Sequence, residues 1–511
     1  MKLIYFTAAA LLFVSCTDLE VEELDSRLIE SESGQFAGVD PVATLASAYT
    51  DLRGLANQEN FFALQEITSD ELLVPTRGTD WGDNGVWRTL HQHNWDATHP
   101  YVLNTWNDLN ARVFKTNQIL APESNADATQ TAEAKFLRAF NMYFVLDLYG
   151  QVPFREVSEG VEVDPRVLSA SEAFDFILAD ITSALENLPE IGPGDGTIRA
   201  SKAAAHFLRA KLYLNKHVFL GADTPDPADM TEVVNSVDAI QAAGFVLQEG
   251  YFDIFKPDAD TETILWTDAS WGNRIWNGLH YFQTVPDNQG GGWNGFATTA
   301  EFYATFEGSS DANTLGSGQE ERRGYVPTDS AHYGIGFGFL FGQQYSSEGI
   351  PLNNRSGRPL IFTKDYITGE SDGESLIGNG ENNGIRIIKY HPEGGAFVNY
   401  FILFRYADAY LMKAEAILRG GTSAEDPTTM VNELRAIRKA SPLASVALEE
   451  LLDERGRELY TEGWRRNDQI RFGTYVQEWL FKDNTEDFRG LFPIPANALA
   501  TNPNLVQNPG Y

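Results

Sequence analysis

Cysteine occurs once, at Cys16, so neither a disulfide framework nor a cysteine-ligated metal cluster can hold this chain together. Basic residues are scarce as well: 38 lysines and arginines face 72 aspartates and glutamates, a formal charge of -34 over 511 residues. Such a field repels nucleic-acid phosphates and anionic membrane surfaces, and it disfavours polyanionic ligands. The main apolar run, Leu3 to Val14, is too short to span a bilayer as a mature helix. Catalytic fingerprints are missing: H-E-x-x-H, G-x-S-x-G and G-x-x-x-x-G-K-[ST] do not occur. Gly334-x-Gly336-x-Gly338 lacks the strand-turn-helix context and third-glycine spacing of a dinucleotide loop. His91-x-His93 would set two imidazoles on one side of a strand, with no third ligand nearby. Asp258, Asp260 and Glu262 alternate as calcium ligands do, but without the sixth-position glycine and distal glutamate of a helical calcium loop. No metal site is expected, and these three acids are the nearest approach to one.

What is present begins at the N-terminus. Lys2 opens a short basic region, the apolar run follows, and the small Ser15 precedes Cys16. Residues 1–15 read as a lipoprotein signal, removed to leave Cys16 acylated at a membrane. An ordinary secretory signal with an incidental cysteine is the alternative. Thr17 to Glu23 is acidic and aperiodic, and residues 16–40 are expected to form a flexible acidic tether.

From Pro41 onward apolar residues recur with helical period. Leu45, Ala48, Leu52 and Leu55 predict a helix over 41–58, and others are expected over 101–120, 131–149, 171–188, 201–220 and 231–243. Residues 59–100 lose that period and carry turn chemistry, including Pro75, Arg77-Gly78 and Trp81-Gly82-Asp83-Asn84-Gly85. They read as a long loop, and long ordered loops are usually functional. Phe136-Leu137-Arg138-Ala139 recurs as Phe207-Leu208-Arg209-Ala210, an offset of 71 residues, close to twice the tetratricopeptide period of about 34. Residues 41–244 are therefore expected to be degenerate helical hairpins in an array. Residues 245–400 are glycine-rich, with little helical period and short β-rich runs at Thr263 to Trp266 and Ile385 to Tyr390. They predict an irregular insert of loops, small strands and short helices. Residues 401–511 return to helices and complete one mostly α domain over 41–511.

In that last segment Phe404, Ala407, Leu411, Ala414 and Leu418 lie on one face of a helix expected from Phe401, closed by Gly420-Gly421. A second helix begins behind Asp426-Pro427 with Met430, Leu434 and Ile437 inward. A third carries Leu448, Leu451, Leu452, Arg455 and Leu459 on one side, with Asp453 and Arg457 spaced to pair at i,i+4. It runs into Glu458 to Gly473, where acids and arginines alternate around Tyr460 and Trp464. The charged run reads as a salt-bridge lattice that locks helices together. The pattern R-x-x-E-L-x-x-E-G-x-R-x-x-D-x-x-R-x-G, with R-Y-A-D-A-Y-L-M-K-A-E-A before it and the ending Leu491 to Tyr511, closely resembles the SusD/RagB family. That resemblance implies an outer-membrane lipoprotein facing outward that binds glycans without catalysis or cofactor. It also implies a partner, a SusC-like TonB-dependent β-barrel transporter on which this protein docks as a lid.

Tryptophan narrows the region. Eight of the ten fall within residues 81–106 and 266–293. Trp106 sits on a helical pattern and Trp266 in a strand-like run, so both read as core. Trp81, Trp87, Trp95, Trp271, Trp276 and Trp293 lie in loops rich in Gly, Asn and Asp. Pyranose rings need aromatic faces for their C–H sides beside fixed polar groups for their hydroxyls. Only Arg88 and Arg274 supply positive charge in the two windows, so a neutral glycan fits. Family members present their site at loops between the early helices and the insert. By region and chemistry the resemblance thus implies Asp70, Arg77, Trp81 and Trp95, with Trp271, Trp276 and Trp293, as glycan-binding residues.

The function expected is surface capture of a neutral polysaccharide or oligosaccharide and its delivery to the transporter. A β-glucan such as laminarin is favoured over starch or fructan, because an acid-rich, lysine-poor surface is common in secreted proteins of saline habitats. Two other readings stand beside it. One is a surface glycoside hydrolase using the same cleft, since 72 acids leave room for a carboxylate pair. The other is a structural or adhesion lipoprotein with no glycan site.

Overall fold

The computed structural model describes residues 36–160, 162–258, 260–269, 278–284, 291–328, 334–367, 373–392 and 400–511. The first half is helical: α1 (Pro41–Asp51), α2 (Phe61–Glu66), α3 (Val86–His91), α4 (Pro100–Leu120), α5 (Ala128–Tyr149), α6 (Ala170–Asn187), α7 (Lys202–Phe219) and α8 (Pro227–Ala242). A short helix, α9 (Ala300–Ala304), lies in the insert. The C-terminal segment adds α10 (Tyr406–Leu418), α11 (Pro427–Ile437), α12 (Leu448–Leu459), α13 (Arg465–Phe472) and α14 (Ala496–Thr501).

Polar caps decide where the helices begin. Asp40 and Asp226 each accept backbone N–H groups just ahead of a proline at the first helical position, and Asp127 with Gln130 and Ser169 with Glu172 form capping boxes. These caps start α5 and α8 a few residues before the apolar period becomes visible. The helices pack in chain order from α4 to α8, α8 packs on α10, and α10 on both α11 and α12. The mostly helical, hairpin-based scaffold with an irregular insert is the architecture observed.

The insert is sewn shut at its base. Strand β3 (Thr263–Thr267) pairs antiparallel with β9 (Phe401–Arg405), Leu265 opposite Phe404, so the two ends of the insert lie side by side. Between them β4 (Gly324–Tyr325), β5 (Phe337–Leu340) and β8 (Arg386–Ile388) form a three-stranded sheet, and β6 (Gly342–Gln343) pairs with β7 (Ile361–Phe362). A hairpin of β1 (Val152–Phe154) and β2 (Arg166–Leu168) lies outside the insert, between α5 and α6. The insert has a small core of its own around Leu279, Val326, Ile335, Leu340 and Leu360. Phe296, Phe302, Phe306, Phe339 and Ile387, however, belong to the main core.

Three expectations are corrected. Residues 401–405 are a strand, not the first turn of α10: all five side chains are buried, and in a short run that is apolar throughout, period cannot separate strand from helix. Residues 59–100 contain α2 and α3. Residues 36–40 are not tether, since Phe36 packs on the core, Val39 is buried, and the Val39 N–H donates to Ser124 Oγ at 3.0 Å.

The charged run is a buried lattice. Arg405 donates to Glu262, Glu458 and Glu462 at 2.7–3.0 Å. Glu458 also accepts from Arg438 and Arg322. A second group joins Arg455 to Asp408 and Asp468, and Arg471 to Glu415 and Asp468. Arg457 pairs with Glu454, not with Asp453. Burial alone would raise Glu458, but Arg438, Arg405 and Arg322 outweigh it and hold the carboxyl well below its ordinary range.

Candidate functional site

The loop after α2 is pinned from below before it reaches the surface. Glu66 and Glu71 are wholly buried, and their carboxyls accept the backbone N–H groups of Gly463 and Thr461, in the turn between α12 and α13. Burial pushes Glu66 up to about 7, and burial together with the Glu66 charge pushes Glu71 higher still. Burial and the like charge of a neighbour favour the neutral form of each carboxyl.

Beyond this anchor the chain turns sharply. Trp81, Asp83, Asn84 and Gly85 have φ values of 61°, 36°, 53° and 85°. A left-handed tryptophan costs roughly 1–3 kcal/mol, and such outliers cluster at ligand clamps. The Trp81 indole N–H donates to the Trp293 carbonyl at 2.7 Å, and its ring leans on Trp87 and Phe296 with centroids 5.8 and 5.9 Å away. Gly295 lies against it: a Cβ there would come within 2.3 Å of Trp81 Cζ2. Trp81 is thus half-buried and fixed, while Trp293 is 51% exposed and Phe282 47%. Trp81 and the Trp293 that it holds give an aromatic surface with one rigid wall.

A polar rim adjoins it. The Tyr281 hydroxyl donates to Asp80. The Arg355 guanidinium lies 3.9 Å above the Tyr281 ring and pairs with Glu381 at 2.5 Å and Asp80 at 3.2 Å. Glu381 also meets His280 Nε2 at 2.9 Å. Burial would raise Glu381, but the Arg355 backbone N–H, His280 and the Arg355 side chain together hold it below its usual range. Burial lowers His280 to about 4 despite Glu381, so the ring is neutral at pH 7. One cation and two carboxylates leave the rim without net positive charge.

The structure separates the other expected residues. Arg77 is buried, and its guanidinium donates to the carbonyls of Asn294, Gly380 and Asn383 at 2.7–3.0 Å. It touches no solvent-facing surface and instead staples the Trp293 segment to the 380–383 turn. Asp70 takes a bidentate pair from Arg465, 2.8 Å on each oxygen, so its acceptors are spent on the lattice below. Trp95 is 2% exposed and donates to the Tyr511 hydroxyl at 2.8 Å; it is core. Arg77 and Trp95 are corrected from ligand contacts to fold residues, and Asp70, its side chain 26% exposed, is held by the lattice. Trp271, Trp276 and Cys16 lie outside the described residues.

The metal candidates resolve the same way. Asp260 accepts from the N–H groups of Glu262 and Thr263 at 2.6 Å and from the Thr263 hydroxyl at 2.7 Å, while Glu262 is bound by Arg405 and Arg438. His91 and His93 are buried against backbone carbonyls. Among the described residues no cluster of three His, Cys, Asp or Glu is placed to hold a metal, and no helix is long and apolar enough to cross a membrane.

Tyr281, Phe282, Asp80, Arg355 and Glu381 were not foreseen. Tyr281 and Phe282 sit inside the second tryptophan window and Asp80 directly before Trp81, so an aromatic-neighbour rule would have found them. Arg355 and Glu381 carry no local signal.

Two family models match the chain, "SusD family" over residues 261–511 and "Starch-binding associating with outer membrane" over 23–214. Starch-binding protein SusD of Bacteroides thetaiotaomicron is 28% identical over 493 residues, covering 88% of this chain and 85% of the relative. A SusD-like protein of Bacteroides fragilis has the same fold, with a TM-score of 0.68 at 21% identity over 92% of this chain and 97% of that one. A laminarin-binding SusD-like protein gives 0.65 at 21% identity, over 92% and 99%. The chain belongs to the SusD family.

Proposed function

We propose that this protein captures a neutral glycan at the Trp81–Trp293 surface, at the outer membrane, and passes it to a SusC-like TonB-dependent transporter. Acylated Cys16 is its anchor. The observation that carries the reading is the half-exposed Trp293 held beside an immobilised Trp81, with amphoteric polar groups along the edge. An aromatic face takes the C–H side of a pyranose, and the Asp80, Glu381 and Arg355 rim exchanges hydrogen bonds with hydroxyls. A polyanion finds no net positive charge there. Starch and laminarin, the ligands named for a relative and for a neighbour of the same fold, are both uncharged glucans. A β-glucan of the laminarin kind is the specific ligand proposed, on the acidic composition.

A glycosidase needs one carboxyl kept protonated as general acid, a role that Glu381, held in its charged form, does not fill. Affinity gels containing laminarin, starch or inulin, run with wild type and Trp293→Ala, test the proposal. Retention by one neutral glucan, lost in the variant, is expected. Equal retention of both proteins places the site elsewhere, and new reducing ends at enzymatic rates would replace binding with catalysis.

A further inference from the structure

A cavity of about 240 Å³ opens where the loop between α6 and α7 meets the approach to β3, and it shares no residue with the Trp81–Trp293 surface. Gly194, Thr197, Asp258, Asp260, Trp266 and Tyr400 are among the residues that line it. Most of these polar groups are spent on the fold. Asp260 is saturated by Glu262 and Thr263, and the Tyr400 hydroxyl lies 2.7 Å from the Thr263 hydroxyl and donates to Asp260 at 3.1 Å.

Two groups are unspent. The exposed Asp258 carboxylate makes no ion pair or hydrogen bond among the described residues, and the half-buried Trp266 indole N–H makes none there either. The Trp266 ring is nevertheless fixed, tilted 51° against Tyr400 with centroids 5.0 Å apart. An immobilised aromatic face with one free donor and one free acceptor beside it is the complement of a sugar ring, which offers a C–H face and hydroxyls that both give and accept protons.

Size and charge narrow the ligand. Pockets for drug-sized ligands run from about 300 to 1,000 Å³; this one is smaller and admits a single ring, not a stretch of chain. A cation would also be drawn to an aromatic face and a carboxylate. It has no use for the indole donor, however, and Asp258 is exposed enough for salt and water to screen its attraction.

We propose that this cavity is a second subsite, taking one terminal or branching pyranose of the neutral glycan whose chain lies on the Trp81–Trp293 surface. The ligand class rests on the function proposed above; the geometry of the cavity does not. Saturation-transfer NMR with D-glucose on the Trp293→Ala protein isolates it. Glucose signals are expected in Trp293→Ala, weaker signals when Trp266→Phe is added to remove the indole N–H, and none when Asp258→Ala is added. Both Trp293 and Asp258 are exposed, so the melting temperature should not move. Glucose signals of equal strength with and without Asp258, no glucose signal in Trp293→Ala, or signals from choline in place of glucose that vanish with Asp258→Ala would each overturn the subsite. Failure of the main reading is seen separately, as laminarin retention that ignores Trp293→Ala.

Discussion

Arg405 meets Glu262, Glu458 and Glu462 in a space closed to water, whereas Arg355 meets Asp80 and Glu381 at a surface where its own side chain is 47% exposed. The chemistry is the same and the consequence differs. In the interior each guanidinium nitrogen of Arg405 has a fixed acceptor, and removal of one partner leaves a charge that water cannot reach. At the surface a ligand hydroxyl or a water can replace either carboxylate at little cost. The lattice therefore sets the scaffold, and the rim is free to recognise.

The largest effect should come from breaking the lattice. Glu458→Gln removes the carboxylate that Arg405, Arg438 and Arg322 share and leaves those three buried cations one negative charge short, and loss of one partner from a buried ion group costs about 3–5 kcal/mol. Urea denaturation should show that loss. Trp106→Ala, which truncates a core indole packed on Tyr149, belongs to the same class at about 3–5 kcal/mol. A Glu458→Gln protein as stable as wild type would mean the lattice is dispensable.

Buried acids within the scaffold also titrate in opposite directions. Arginines hold Glu454 at about 2 although burial would raise it, so its contribution is present above an unfolded value of about 4.5 and is lost as pH falls towards 2. Glu66 is raised by burial to about 7, so its contribution is full below about 4.5 and is lost as pH rises through 7. At about 1.4 kcal/mol per pH unit, Glu66 alone tilts stability by up to roughly 3 kcal/mol between pH 5 and 8, and Glu71, also raised by burial, tilts it the same way. The double variant Glu66→Gln/Glu71→Gln should flatten that limb and leave the acid limb in place. Denaturation curves at pH 3, 5 and 8 check it, and an unchanged tilt would show that burial does not raise this pair.

At the surface the effects should be on binding. Trp293→Ala is expected to weaken glycan affinity about tenfold, or about 1.4 kcal/mol, at an unchanged melting temperature, because the ring is half in solvent. Trp81→Ala should lose affinity and also stability, since its ring supports Trp87 and Phe296. Gly295→Ala tests the wall itself: the added methyl drives into the Trp81 ring, so binding should fall although no contact residue is changed.

The same contrast explains what the sequence disclosed. The lattice was readable where its members recur at helical spacing, within Arg405–Glu415 and Arg455–Arg471, but not where Glu262, Arg322 and Arg438 join it from distant parts of the chain. The aromatic surface was half readable. Clustering brought out Trp81 and Trp293, but a tryptophan in a Gly/Asn-rich loop looks alike whether it faces out, as Trp293 does, or packs inward on Tyr511, as Trp95 does. Arg77 has the composition of a ligand contact and the environment of a staple, because its partners are backbone carbonyls more than 200 residues away. Arg355 and Glu381 left no trace, being brought to Asp80 only by the closure of the insert.

The smallest expected effect concerns Arg355 and salt. An exposed pair is worth about 0–1 kcal/mol, so Arg355→Lys should change stability by no more than that. If the ligand is neutral, its affinity should be nearly flat as ionic strength rises, since screening acts on charges and the rim presents no net positive charge to screen. The lysine cannot stack its plane on Tyr281 or bridge Asp80 and Glu381 with two parallel donors, so a modest loss of affinity should accompany it at every salt concentration alike. Titrations of wild type and Arg355→Lys at low and high salt separate the two cases. Affinity that falls steeply with salt in wild type and loses that slope in Arg355→Lys would mean that the ligand carries negative charge and that Arg355, released from its carboxylates, is what binds it.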